Sequence, residues 1–136
     1  MKFLRVLILF SLIGSILPQQ GTSQDSPLLI QSVELIRRGQ QVTVHLLTNR
    51  PPVYEVNENL MAKTLVIKFQ NARLDFVDGR NERLFNDEQV AGIRFNKVDD
   101  AIWAQFKLRL SELSYEIIPR TQGDGIAIVL RPPRKV

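Results

Sequence analysis

Between Ala101 and Leu110 the chain alternates so strictly that it constrains the fold more than any other stretch. Ile102, Ala104, Phe106, Leu108 and Leu110 recur at every second position, with Gln105, Lys107 and Arg109 between them and Trp103 the one bulky exception. Successive side chains of a strand point to opposite faces, so the segment is expected to be a half-buried β-strand with one wet face. A helix would scatter the same residues around its whole circumference. Trp103, Gln105, Lys107 and Arg109 are then expected to share the outward side.

The same signal recurs along the chain. Apolar alternation marks strands at 28–36, 42–47, 53–56, 65–69 and 90–95, then the organising strand, then 115–118 and 126–130, eight in all. Pro51-Pro52 stops the second, because proline cannot donate to a sheet ladder. Asn57-Glu58-Asn59 reads as a turn, Gly92 as a bulge, Asp99-Asp100 as a turn and Gly123-Asp124-Gly125 as a hairpin signal. The connection over 70–89 is longer than most loops and is expected to be a crossover, a functional loop or a carrier of further structure, pinned by Leu74, Phe76, Leu84 and Phe85.

The second half echoes the first. Tyr54 and Tyr115 stand 61 residues apart, as do Leu65 and Ile126, Ile67 and Ile128, and Phe69 and Leu130. Ordinary β periodicity supplies some such matches; a true repeat supplies all four. The expected fold is all-β, a sandwich of two similar small sheets with an internal pseudo-repeat, the two units packing their apolar faces together.

Ahead of the strands, Lys2 and Arg5 flank the start of an apolar run from Val6 to Leu17, followed by polar residues. The run is too short to span a bilayer and fits a secretory signal helix over 1–23, with a linker over 24–28, the sandwich over 29–132 and a tail over 133–136. The rival reading is an uncleaved segment, which would be the chain's one tie to a membrane. Removing 1–23 takes two of the 18 basic residues, so 16 stand against 14 acidic ones and the net charge falls from +4 to +2. Nucleic acid is therefore not an expected partner, since the one basic cluster, Arg131 to Lys135, has no interleaved aromatics. The chain has no Cys, which excludes disulfides, thiolate metal sites and a Cys nucleophile.

His45 is the only histidine. A catalytic triad with a spare histidine and a multi-histidine metal site are excluded, and His45 is expected at a solvated or edge position. Asp87-Glu88 and Asp99-Asp100 suit turns and solvent better than acid–base work. No enzyme activity, metal or cofactor is expected. The wet face is more informative: Trp103 can stack on a sugar ring, while Arg94, Gln105 and Lys107 can donate to hydroxyls and carboxylates. The bland alternative has Trp103 packing under the 70–89 segment.

Residues 65–74 (Leu-Val-Ile-Lys-Phe-Gln-Asn-Ala-Arg-Leu), 90–95 (Val-Ala-Gly-Ile-Arg-Phe) and 104–108 (Ala-Gln-Phe-Lys-Leu), with Tyr115 opening the next strand, resemble the AMIN domain. That family is a periplasmic module of bacterial cell-wall amidases and type IV pilus secretins. The resemblance covers about 29–132 and implies a β-sandwich that binds peptidoglycan in the periplasm of a diderm bacterium. Lys68 and Lys107 stand where the family commonly has Asp, and Trp103 where it often has Arg. The resulting expectation is a non-enzymatic exported module binding peptidoglycan through Arg94, Trp103, Gln105 and Lys107. The alternative is an assembly factor that docks a sheet edge or the 70–89 segment onto a secretin, pilus or other envelope protein.

Overall fold

A computed structural model of the protein describes residues 26–133. The expected signal segment, the first two residues of the linker and the end of the tail lie outside the described residues. Ten strands follow one another among the described residues: β1 (Leu28–Arg38), β2 (Gln41–Thr48), β3 (Tyr54–Asn59), β4 (Thr64–Phe69), β5 (Ala72–Leu74), β6 (Glu82–Leu84), β7 (Val90–Val98), β8 (Ala101–Leu108), β9 (Ser114–Pro119) and β10 (Gly125–Arg131). They form two five-stranded sheets. Sheet A has the order β9-β10-β2-β1-β5 and sheet B the order β3-β4-β8-β7-β6.

The apolar face of each sheet is built from alternate residues, as the pattern demands. Ile102, Ala104, Phe106 and Leu108 of β8 are buried, and they share one core with Leu65, Ile67 and Phe69 of β4 and with Val42, Val44, Leu46, Ile126, Ile128 and Leu130 of sheet A. The side chains between them face outward. Leu110 departs from the expectation: β8 ends at Leu108, and Leu110 is exposed.

The two halves do not each make one unit, as expected; they exchange hairpins. The β3–β4 hairpin of the first half joins the second half's β7–β8 hairpin, with Leu65 opposite Phe106 and Ile67 opposite Ala104. The β9–β10 hairpin of the second half joins the first half's β1–β2, with Ile126 opposite Leu46 and Ile128 opposite Val44. The equivalence extends to the edges, where Tyr54 faces Phe69 and Tyr115 faces Leu130. The cause lies in the linkers. Pro51-Pro52 cannot extend a ladder, so the chain leaves sheet A after β2 and starts β3 in the other sheet. Residues 109–113 make the reverse crossing, with Leu113 buried on the way.

Other departures are local. Asn57, Glu58 and Asn59 belong to β3 rather than to a turn, and the corner follows as a single 3-10 turn, Leu60–Ala62, with Asn59 Oδ1 accepting from the Ala62 amide at 3.3 Å. Asn59 thus caps the corner instead of forming it. The 70–89 segment carries β5, parallel to β1, and β6, antiparallel to β7. Of its expected anchors, Phe76 is buried edge-on against Phe95 (centroids 5.2 Å apart), whereas Leu84 is 77% exposed. Gly92 does sit at a register shift, where an added Cβ would lie 2.5 Å from the Arg83 carbonyl of β6.

Candidate functional site

The outer face of sheet B is a lattice of three rows. The first row runs Glu55, Lys68, Trp103, Asn96 across β3, β4, β8 and β7; the second runs Asn57, Val66, Gln105, Arg94, Glu82; the third sets Asn59, Thr64 and Lys107 side by side. All four residues singled out by sequence therefore share this face, with Arg94 directly opposite Gln105 on the neighbouring strand. Trp103 and Gln105 are half-buried, while Arg94 and Lys107 are exposed.

The half-buried Trp103 takes its ring contact from β4. Lys68 Nζ lies 4.3 Å from the indole centroid, a cation–π contact. With the Asn57 amide turned to satisfy both of its groups, its oxygen also accepts from Lys68 Nζ at 3.0 Å. Lys68 thus covers one ring face and steadies it. Arg94 Nε stands 4.0 Å from Glu82 Oε2 with half its side chain in solvent, so most of its donor capacity remains open. Lys68 was legible as an outward residue of an alternating strand, whereas Asn57 was read as part of a turn, and the link of Lys68 to Trp103 depends on the pairing of β4 with β8, which no local pattern encodes.

Arg109 does not join this face. Beyond the end of β8 its Nε donates to the backbone oxygen of Asp87 at 2.7 Å. Asp87 itself overturns the expectation of a solvated turn acid. Its side chain is 4% exposed and holds Arg37 of β1 through Nε (2.7 Å) and Nη2 (3.0 Å), while accepting from the Gln89 and Val90 amides. The contact pins the connection before β7 to sheet A.

His45 lies outward on β2, in the interior of sheet A rather than at an edge, and is half-buried. The Arg120 guanidinium reaches its Nδ1 at 2.7 Å, so Nδ1 is the acceptor and the neutral ring carries its proton on Nε2. Arg120 also donates to Asp124 at 2.9 Å, tying the β9–β10 turn down. Burial and then the Arg120 charge hold the imidazole below its ordinary pKa of 6.5, against the weaker pull of Glu34 and Asp124. The unfolded chain therefore takes this proton first, and stability present above pH 6.5 declines as pH falls from there toward the lowered folded value. His45→Gln should flatten that limb of the thermal midpoint against pH; an unaltered slope would assign the effect elsewhere.

No group of three or more His, Asp or Glu side chains able to hold a metal ion occurs among the described residues. None of their helices is long and apolar enough to cross a membrane. Comparison with protein-family models finds no match, and no curated protein matches the chain.

Proposed function

We propose that the protein is a non-enzymatic module of the cell envelope, AMIN-like and exported to the periplasm, that binds peptidoglycan through the outer face of sheet B. One observation carries the reading. The exchanged hairpins make sheet A a near-equivalent of sheet B, yet the two outer faces differ in kind. At the places of Trp103, Lys68, Arg94, Gln105 and Lys107, sheet A has Thr43, Val129, Glu34, His45 and Leu47. Core packing treats the two faces alike, so the concentration of an aromatic and four donors on one of them calls for a ligand.

In this reading, the free face of the Trp103 ring stacks on a sugar. Arg94 and Lys107 meet carboxylates of the stem peptides, and Gln105 donates to a hydroxyl. The test is retention on purified sacculi at low salt. Trp103→Ala should lower retention about fivefold, since an aromatic stacking contact contributes roughly 1 kcal/mol, while the thermal midpoint stays nearly unchanged. Retention no better than that of a control protein of similar charge would end the proposal.

A second reading, an assembly factor docking through a sheet edge, draws on the edges themselves. Among the described residues β3 and β9 each pair on one side only, and the Tyr115 hydroxyl donates to Glu58 at 3.0 Å to join them along one flank. Such edges accept a partner strand. Loss of sacculus binding together with capture of a secretin or pilus protein would favour it.

A further inference from the structure

A cleft of about 950 Å³ opens at the end of the molecule where the β1–β2 turn meets the last residues of β10. Its two rims come from different sheets. Arg38 and Arg131 stand on the rim from sheet A, while Glu88 and Glu112 stand on the rim formed by the connections before β7 and after β8. The rims are thus opposite in sign.

Arg37, which also lines the cleft, is already committed. Its guanidinium is held by Asp87, by Gln89 Oε1 at 2.8 Å and by the Gly39 carbonyl at 2.9 Å. That group gives the cleft a stiff, internally neutralised wall. The rim charges are less fully engaged. The side chains of Arg38 and Glu112 make no hydrogen bond or ion pair among the described residues, and Glu88 reaches Arg37 only as a nearby charge. Arg131 donates through Nε to Gln41 Oε1 at 3.2 Å and has a loose, solvent-facing contact with Glu116 at 3.5 Å, which leaves part of its guanidinium open. An anion alone would meet the acidic rim, and a cation alone would meet the basic one. A ligand with a carboxylate at one end and an ammonium at the other satisfies both.

We propose that this cleft binds a short, extended, zwitterionic peptide. Its carboxylate lies toward Arg38 and Arg131 and its ammonium toward Glu88 and Glu112, with the aliphatic stretch between resting on Leu110 and Pro132. Three extended residues span about 10 Å and fit within such a volume. The site is separate from the sheet B face and does not depend on its role.

Titration of the purified protein with trialanine at low salt, followed by backbone amide NMR shifts, tests the proposal. Shifts should concentrate at residues 38–41, 88–89 and 110–112. N-acetyl-trialanine and trialanine amide should each bind about two- to fivefold more weakly, as expected for losing one exposed ion pair. Arg38→Gln should abolish the penalty of amidation, and Glu88→Gln with Glu112→Gln the penalty of acetylation. The capped peptides test the charges on the unaltered protein, so the result does not hang on a variant folding. Trp103→Ala should leave the titration unchanged, which separates this site from the peptidoglycan reading. Shifts mapping elsewhere, no shifts, or equal binding of all three peptides would overturn it.

Discussion

Asp87→Ala should lower the unfolding free energy by about 3 kcal/mol at neutral pH. Its carboxylate holds Arg37 at 2.7 and 3.0 Å and takes the Gln89 amide at 2.9 Å and the Val90 amide at 3.2 Å. Burial disfavours the charged form, but the Arg37 hydrogen bond and the two backbone amides together outweigh it and hold the carboxyl below its ordinary 3.8. Removing the side chain takes the acceptor from two backbone amides and leaves the Arg37 guanidinium with only Gln89 Oε1 and the Gly39 carbonyl. Breaking a buried ion pair costs about 3–5 kcal/mol, and the low end applies because Arg37 is 30% exposed. The pH dependence follows from the direction of the shift. The stabilisation is present above pH 3.8 and is lost as pH falls through the lowered folded value. Urea unfolding at pH 7 and at pH 3 checks both parts: the gap between the native protein and Asp87→Ala should narrow in acid. A loss under about 1 kcal/mol at pH 7 would mean that water replaces the carboxylate cheaply.

What the sequence revealed follows the range of the interactions involved. Strand positions were legible because burial on one face leaves a period of two, and the outward placement of Arg94, Trp103, Gln105 and Lys107 follows from that period alone. The 61-residue echo was legible too, since equivalent strands need equivalent core residues. The exchange of hairpins was not, because alternation carries no information about which sheet receives a strand. Asp87 was misread for a related reason. An acid beside Glu88 in a polar stretch looks solvated until Arg37, 50 residues away, is brought against it. Arg109 shows the same limit from the other side: its position continues the alternation by one step, but the strand has ended and its side chain turns to the Asp87 carbonyl. The short β5 and β6 left no mark because three residues cannot display a period, and the Leu84 side chain is exposed.

Gly125→Ala should be at least as damaging, at about 4 kcal/mol, and the argument comes from the exchange itself. Gly125 opens β10 opposite Leu47, where the second half's hairpin joins sheet A. Its counterpart at the matching junction of sheet B is Thr64, opposite Lys107, which carries a full side chain. Gly125 cannot carry one. Its φ is +141°, a region that L residues rarely adopt, and an added Cβ would fall 2.0 Å from the Leu46 carbonyl oxygen and 3.1 Å from the Leu47 Cα. Both obstacles are backbone, in the interior of a sheet, so neither can move aside cheaply. A strained backbone conformation costs about 1–3 kcal/mol and overpacking a similar amount, which together approach the whole stability of a small domain. Thr64→Ala at the equivalent junction adds no atom and forces no dihedral, so it should cost under about 1 kcal/mol. Comparing the two by thermal unfolding asks whether the close approach of β10 to β2 is a fixed feature of the exchange. Near-equal midpoints for Gly125→Ala and Thr64→Ala would show that β10 can slide away from Leu46 at little cost, and that the junction in sheet A is looser than its geometry implies.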